Sequence, residues 1–298
     1  MAAIASDLDV SADLVGRLLR EQCPDLADLP VAPFTNGWDN ESYRLGSELL
    51  VRLPRRHVAA ELVLNEQQWL PLLSPHLTVD VPTPVFSGRP SRAFPYAWSI
   101  VPLLPGRPMN ELAVEERTPY APSLADFFIA LHSLAPPDAP ANPFRGVPLS
   151  SRRDVMLQRL ITTPGFGAPA VDKWLDWSSA AVYDGPSRWL HGDPHPLNLL
   201  VDGTAEVTGA LDWGDVCGGD PASDLATAWL TFDSAGRQEF RDLLDTTGRY
   251  DEDTWTRARA WALALAAFFV SASAPDSALA QVGSHAAVEL LIEGKSAA

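Results

Sequence analysis

The stretch WLHGDPHPLNLLVDGTAEVTGALDWGDVCGGDPASDLATAWL, residues 189–230, carries most of what this chain discloses about itself. His191-Gly192-Asp193 opens it, Asn198 follows five positions after Asp193, and Asp212-Trp213-Gly214 begins fourteen positions after Asn198. Residues 199–201 and 207–211 are apolar and β-branched, with Asp202-Gly203 between them, so they read as a β-hairpin. That pairing brings Asn198 and Asp212 to one end of the hairpin. An amide oxygen and a carboxylate converging there suit Mg²⁺, a hard cation that takes oxygen ligands. Asp193 would lie one loop turn away, placed to accept a proton from a hydroxyl. Any one of these residues alone reads as a turn or cap residue. Their ordered spacing across one hairpin is the informative feature.

A His-x-Asp loop with Asn five positions on, followed by Asp-x-Gly, is the phosphoryl-transfer set of kinases. The loop His191-Gly192-Asp193-Pro194-His195-Pro196-Leu197-Asn198, the motif Asp212-Trp213-Gly214-Asp215 and the run Asp220-Pro221-Ala222-Ser223-Asp224-Leu225-Ala226 resemble the aminoglycoside phosphotransferase family. The resemblance runs in order from about Phe34 to the C-terminal helices. It implies an α/β (α+β) protein with a two-lobed, protein-kinase-like fold. Residues 1–102 would form a small β-sheet lobe that binds nucleotide, and residues 103–298 a larger, mainly helical catalytic and substrate-binding lobe. By the same resemblance Asp193 is the catalytic base, Asn198 and Asp212 hold Mg²⁺, and His191 buttresses the loop. His195 would touch phosphate or substrate. Asp220 before Pro221 reads as a helix cap.

Outward from this segment the pattern agrees. Residues 11–22 have Leu14, Leu18 and Leu19 at helical spacing behind a Ser11 cap. Residues 42–45 and 48–53 read as strands around Gly46-Ser47, residues 59–73 as a helix, and residues 82–86 and 97–104 as further strands. Beyond residue 103 the chain turns helical at 122–134, 152–161, 170–177, 254–271 and 277–292. A proline-rich loop spans 136–148.

Kinases hold phosphate with a strand lysine paired to a helix glutamate. No lysine precedes Lys173 here, so Arg52 on the strand 49–53 takes that place, with Glu66 as its partner. The loop 35–40 is the candidate phosphate cover, through the backbone N–H groups around Asn36 and Gly37. The segment Ser99-Ile100-Val101-Pro102-Leu103 would meet the purine. Pro102 has no N–H, so Ile100 or Val101 is the expected donor. ATP and GTP are both open.

Composition bounds the partners. The 298 residues carry 22 Lys+Arg against 38 Asp+Glu, a net charge of −16. That disfavours nucleic acid and anionic membranes and favours a cationic small molecule. Residues 193–253 hold 14 acids and 3 bases, and Asp215 and Asp224 are candidates for facing such a substrate. Ten tryptophans are present, and Trp213, Trp229, Trp255 and Trp261 offer either core or an aromatic wall. Cys23 and Cys217 form no disulfide framework or zinc spacing. No signal peptide or membrane span is evident, so cytoplasm is the default location. A monomer or homodimer is expected. The leading function is phosphorylation of an antibiotic hydroxyl, an aminoglycoside first. Next come a macrolide, nucleoside or cationic peptide, then choline, homoserine or a sugar. A nucleotide-binding pseudokinase is the non-enzymatic alternative.

Overall fold

The computed structural model describes residues 8, 10–36 and 39–292. The chain forms two compact units, one ending at Pro105 and the other beginning at Gly106.

The first unit is an antiparallel sheet with helices. Its elements are α1 (Ala12–Gln22), β1 (Val31–Asn36), β2 (Asn40–Leu45), β3 (Leu49–Pro54), α2 (His57–Leu73), β4 (Phe86–Gly88) and β5 (Trp98–Pro102). The sheet order is β1-β2-β3-β5-β4. Ser11 caps α1 by accepting the Leu14 N–H at 3.2 Å. The buried stripe Leu14, Val15, Leu18 and Leu19 packs on Tyr43, Leu45, Val51, Leu53 and Ile100 of the sheet. Alternation along β3 buries Val51 and Leu53 on that face and turns Arg52 to the opposite one. The strand expected at 82–86 lies instead at Phe86–Gly88. Pro82 and Pro84 remove the N–H groups that a ladder there would need.

The second unit holds β6 (Arg107–Pro108), α3 (Ala121–Leu131), α4 (Arg153–Thr162), α5 (Gly167–Trp177), β7 (Arg188–Leu190), β8 (Leu199–Val201), β9 (Val207–Ala210) and β10 (Cys217–Gly219). The helices α6 (Ala222–Leu225), α7 (Thr227–Thr231), α8 (Ser234–Asp245), α9 (Glu252–Ala272) and α10 (Ala278–Ile292) complete it. β6, β8 and β9 form one small sheet, and β7 pairs with β10. The helix α9 begins at an Asp251 cap, whose Oδ1 accepts the Thr254 N–H at 2.7 Å. Its alanines let α10 approach closely: a Cβ on Gly283 would lie 2.7 Å from the Ala266 carbonyl. Trp213, Trp229, Trp255 and Trp261 are all buried, so these four are core and build no aromatic wall. Among the described residues no helix is long and apolar enough to cross a membrane.

Candidate active site

β7 ends at Leu190 and β8 begins at Leu199, and the loop between them is fixed by groups from three directions. Asp224 is fully buried, and its carboxylate accepts the main-chain N–H groups of His191 at 2.8 Å and Gly192 at 2.9 Å. His132 lies 3.4 Å from the same carboxylate and 2.9 Å from the Tyr250 hydroxyl. The His191 ring donates from Nε2 to the Leu211 carbonyl at 2.9 Å and accepts the Asp193 N–H at Nδ1. Those two bonds define a neutral ring. Burial lowers its pKa against the pull of Asp224. The ring packs on Trp213 with centroids 4.5 Å apart. Gly192 has φ +90, and a Cβ there would collide with the main-chain oxygen of Asp215. Only glycine fits that turn.

Asp193 is surrounded by cationic and hydrogen-bonding groups. Arg145 Nη2 lies 3.1 Å from Oδ1, and His195 Nε2 lies 3.3 Å from Oδ2. Arg145 also donates from Nε to the Gly192 carbonyl, and its Nη2 is 3.7 Å from Asp215. Burial would raise the Asp193 carboxyl, but His195, Arg145 and His191 outweigh it and hold the group well below the ordinary carboxylate range. Asp215 accepts from Asn142 Nδ2 at 2.8 Å. Burial raises its pKa, and the nearby Asp193 charge adds to the rise, against Arg145. The His195 ring meets Phe269 edge-on at 5.2 Å, and its Nδ1 is buried with no partner among the described residues.

The hairpin brings Asn198 and Asp212 to one end. Leu199 pairs with Ala210, and the Leu211 N–H donates to the Asn198 carbonyl at 2.8 Å. The turn is longer than Asp202-Gly203. Asp202 accepts the N–H groups of Thr204 and Glu206, and Ala205 takes φ 66. Asn198 Nδ2 donates to the Asp193 carbonyl at 3.0 Å, so Oδ1 is the atom its amide turns the other way. Asp212 sits at φ 60, a left-handed conformation that costs a non-glycine residue about 1–3 kcal/mol. Among the described residues no three His, Cys, Asp or Glu side chains cluster as a metal site. An amide oxygen and one carboxylate fit Mg²⁺, which fills its remaining positions with water and substrate oxygens.

In the first unit Arg52 Nη1 reaches both Glu66 oxygens, at 3.1 and 2.9 Å. Glu66 is buried and Arg52 nearly so. Arg56 pairs with Asp39 of the candidate phosphate loop. Asn36 ends β1 opposite Glu41, and Gly37 lies outside the described residues. Ile100 and Val101, the expected donors, both lie within the sheet. The Leu103 N–H bonds the Glu48 carbonyl, so by alternation Val101 directs its own groups to Leu50 of β3. Ile100 directs its groups the other way, where Val85 donates to its carbonyl at 2.9 Å. The next groups in that second phase are the Pro102 carbonyl and the Leu104 N–H.

Asp215 and Asp224, the candidates for facing a substrate, lie at different depths. Asp224 has no exposed surface and holds the loop from beneath. Asp215 stands beside Asp193, bonded to Asn142 and near Arg145. Asp220 accepts the Ala222 N–H and pairs with Arg257 at 2.7 Å, both buried. Sequence reading missed Arg145, which lies in a loop distant in sequence from Asp193 and belongs to no motif.

Comparison with known proteins identifies the family and the fold. The sequence model of the phosphotransferase enzyme family matches residues 30–261. The uncharacterized protein YcbJ of Bacillus subtilis (strain 168) is 26% identical over 228 residues, 71% of each chain. Aminoglycoside 2'-phosphotransferase-IIIa in its GDP complex superposes with a TM-score of 0.71 at 17% identity, over 95% of this chain and 99% of that one. Macrolide 2'-phosphotransferase MphH from Brachybacterium faecium gives 0.61 at 23% identity, over 94% and 97%. The two structural likenesses establish a kinase-like fold, and the family match covers both the Arg52 strand and the His191–Asp212 segment. The chain is a phosphotransferase and belongs to the phosphotransferase enzyme family.

Proposed function

We propose that this protein transfers the γ-phosphate of ATP or GTP, with Mg²⁺, to an alcohol group of a small molecule. The observation that carries this reading is the joint setting of Asp193 and Asn198. One hydrogen bond, from the Asn198 side-chain amide to the Asp193 carbonyl, ties the metal-end residue to the backbone of the base, so the two are held in a fixed relation. Asp193, ionised and gripped by Arg145 and His195, accepts a hydrogen bond from the acceptor hydroxyl and aims its lone pair. A carboxylate held this acidic is a weak base. Its contribution is orientation first, with the proton leaving late in the transfer. Asn198 and Asp212 would hold Mg²⁺, which neutralises phosphate charge when bound.

On the nucleotide side, Arg52 presents a guanidinium fixed by Glu66 toward phosphate oxygens. The backbone around Asn36 and Gly37 covers the phosphates. The Pro102 carbonyl and Leu104 N–H offer one acceptor and one donor to the purine edge. Residues up to about 102 act as the nucleotide-binding lobe, and the remainder supplies base, metal ligands and acceptor site.

The fold neighbours' names carry aminoglycoside and macrolide acceptors, which makes antibiotics the first acceptors to try. A phosphoryl group adds about −2 charge at neutral pH, enough to spoil binding of such a drug to its target and so confer resistance. We assign the reaction to the cytoplasm, where nucleotide donors are held. The test is mass spectrometry on an antibiotic panel with Mg²⁺ and ATP or GTP, reading a gain of about 80 Da, one phosphoryl group. Nucleotide turnover that no alcohol stimulates would sink the reading.

A further inference from the structure

We propose that the acceptor carries an anionic group, a carboxylate or a phosphate or sulfate ester, and that Arg152 and Arg159 bind it beside Asp193. This rests on the reading of Asp193 as the residue that meets the acceptor hydroxyl. The chain is acidic throughout, yet residues 145–159 hold four arginines against Asp154 alone. Arg145 is engaged with Asp193, Asp215 and the Gly192 carbonyl. Arg152 and Arg159 are half-buried, and among the described residues no carboxylate lies within ion-pair distance of either. The Arg152 Nε is buried without a hydrogen-bond partner. A buried guanidinium donor is costly until an acceptor completes it, and for the Arg152 Nε an anion would do so.

Two chains of contact lead from these arginines to the base. The Arg152 guanidinium lies 4.9 Å over the ring of Phe144, the residue before Arg145. That of Arg159 lies 4.8 Å over the ring of Phe268. The next residue, Phe269, packs on His195, and His195 contacts Asp193. The three cations also act on one another. After burial, Arg145 is the cause that lowers the pKa of Arg152, and Arg152 and Arg145 together lower that of Arg159. An anion placed among them relieves that repulsion. Phe144 and Phe268 add flat apolar surface next to the cations, which suits an acceptor with a ring or carbon skeleton.

Asp215 stands beside Asp193 but is engaged by Asn142 and Arg145, and other acids that favoured a cation lie away from the arginines. Asp220 and Asp224 are buried in the loop's support. Asp233 caps α8, and Asp245 accepts from the Trp255 indole at 2.7 Å.

The test fills the nucleotide site with Mg²⁺ and a non-hydrolysable ATP analogue. Wild type, Arg152→Gln and Arg159→Gln are then titrated with inorganic sulfate, inorganic phosphate and citrate by calorimetry, with spermidine as the cationic control. Thermal melting establishes that each variant is folded. Saturable binding of at least one oxyanion by the wild type, weakened at least tenfold in either variant, is expected. Preference for citrate identifies a carboxylate, and preference for sulfate or phosphate identifies an ester. No oxyanion binding, equal binding by the variants, or tighter binding of spermidine overturns the proposal. In the transfer assay, kanamycin or a macrolide outperforming every anionic alcohol in kcat/KM also overturns it, while leaving the phosphotransfer reading intact. Failure to bind the nucleotide analogue would overturn that reading instead.

Discussion

Asp224 Oδ1 accepts the main-chain N–H of Gly192 at 2.9 Å, and so a residue beyond Asp212-Trp213-Gly214 holds the turn that presents Asp193. Its second oxygen takes the His191 N–H. Asp224→Ala leaves both buried groups without a partner, at about 1–3 kcal/mol each. Asp224→Asn keeps one acceptor oxygen and should lose less. Urea denaturation of the two variants should rank them in that order.

Gly192→Ala should destabilise by about 1–3 kcal/mol, the cost of a strained backbone, with further loss from collision with Asp215. Gly203→Ala, where a Cβ meets nothing within 4 Å, should melt close to wild type. Equal melting temperatures for the two would show that the Gly192 turn relaxes freely.

Asp193→Asn keeps the size of the side chain and removes the charge that Arg145 and His195 engage. Transfer should fall about 10²–10⁴-fold, the usual worth of a positioned acid or base. Nucleotide affinity should hold within a few-fold. Single-turnover transfer and equilibrium nucleotide binding measure the two effects separately.

The Arg52–Glu66 pair is buried, so removing one partner strands the other charge. Arg52→Ala should cost about 3–5 kcal/mol, and the double variant Arg52→Ala/Glu66→Ala less than that single change. Arg52→Lys should retain part of the nucleotide affinity, because an ammonium can still reach phosphate but loses the two-pronged geometry. Denaturation curves for the cycle and nucleotide KM for the lysine variant test these points.

His191 and His285 both have lowered pKa values, with burial the leading cause. The folded state therefore resists protons that the unfolded chain accepts near pH 6.5. The stability this gives is present above that pH and is lost as pH falls below it. Denaturation midpoints should drop between pH 7.5 and 5. His285 also contacts the Phe232 carbonyl through Nε2, a bond that an amide can replace. His285→Gln should give a shallower pH slope, and an unchanged slope would exclude His285 as a contributor.

Much of the fold was legible because its elements are local patterns. The Leu14/Leu18/Leu19 stripe, the Gly46 turn and the hairpin either side of Asp202 each follow from neighbours in sequence. β1 was less legible, since Pro33 and a bulge before Thr35 interrupt its alternation. The backbone direction at Ile100 and Val101 was not legible for a related reason. Which neighbour a strand residue bonds depends on the phase of the ladder, and that phase is set by Glu48 and Val85 across the sheet.

The sequence by itself determined the order and spacing of Asp193, Asn198 and Asp212, the lack of any lysine before Lys173 that singles out Arg52, and the division into a sheet part and a helical part. These are carried by spacing and residue type within short segments. Only the tertiary structure decided how the charges are used. Asp224 reads as one more acid in an acidic chain, but folding buries it beneath the loop. Arg145 reads as a loose residue in a proline-rich loop, and folding brings it to Asp193. Net charge sums over the whole chain. The field at a site depends on distance and burial, and those are fixed only when remote segments pack together.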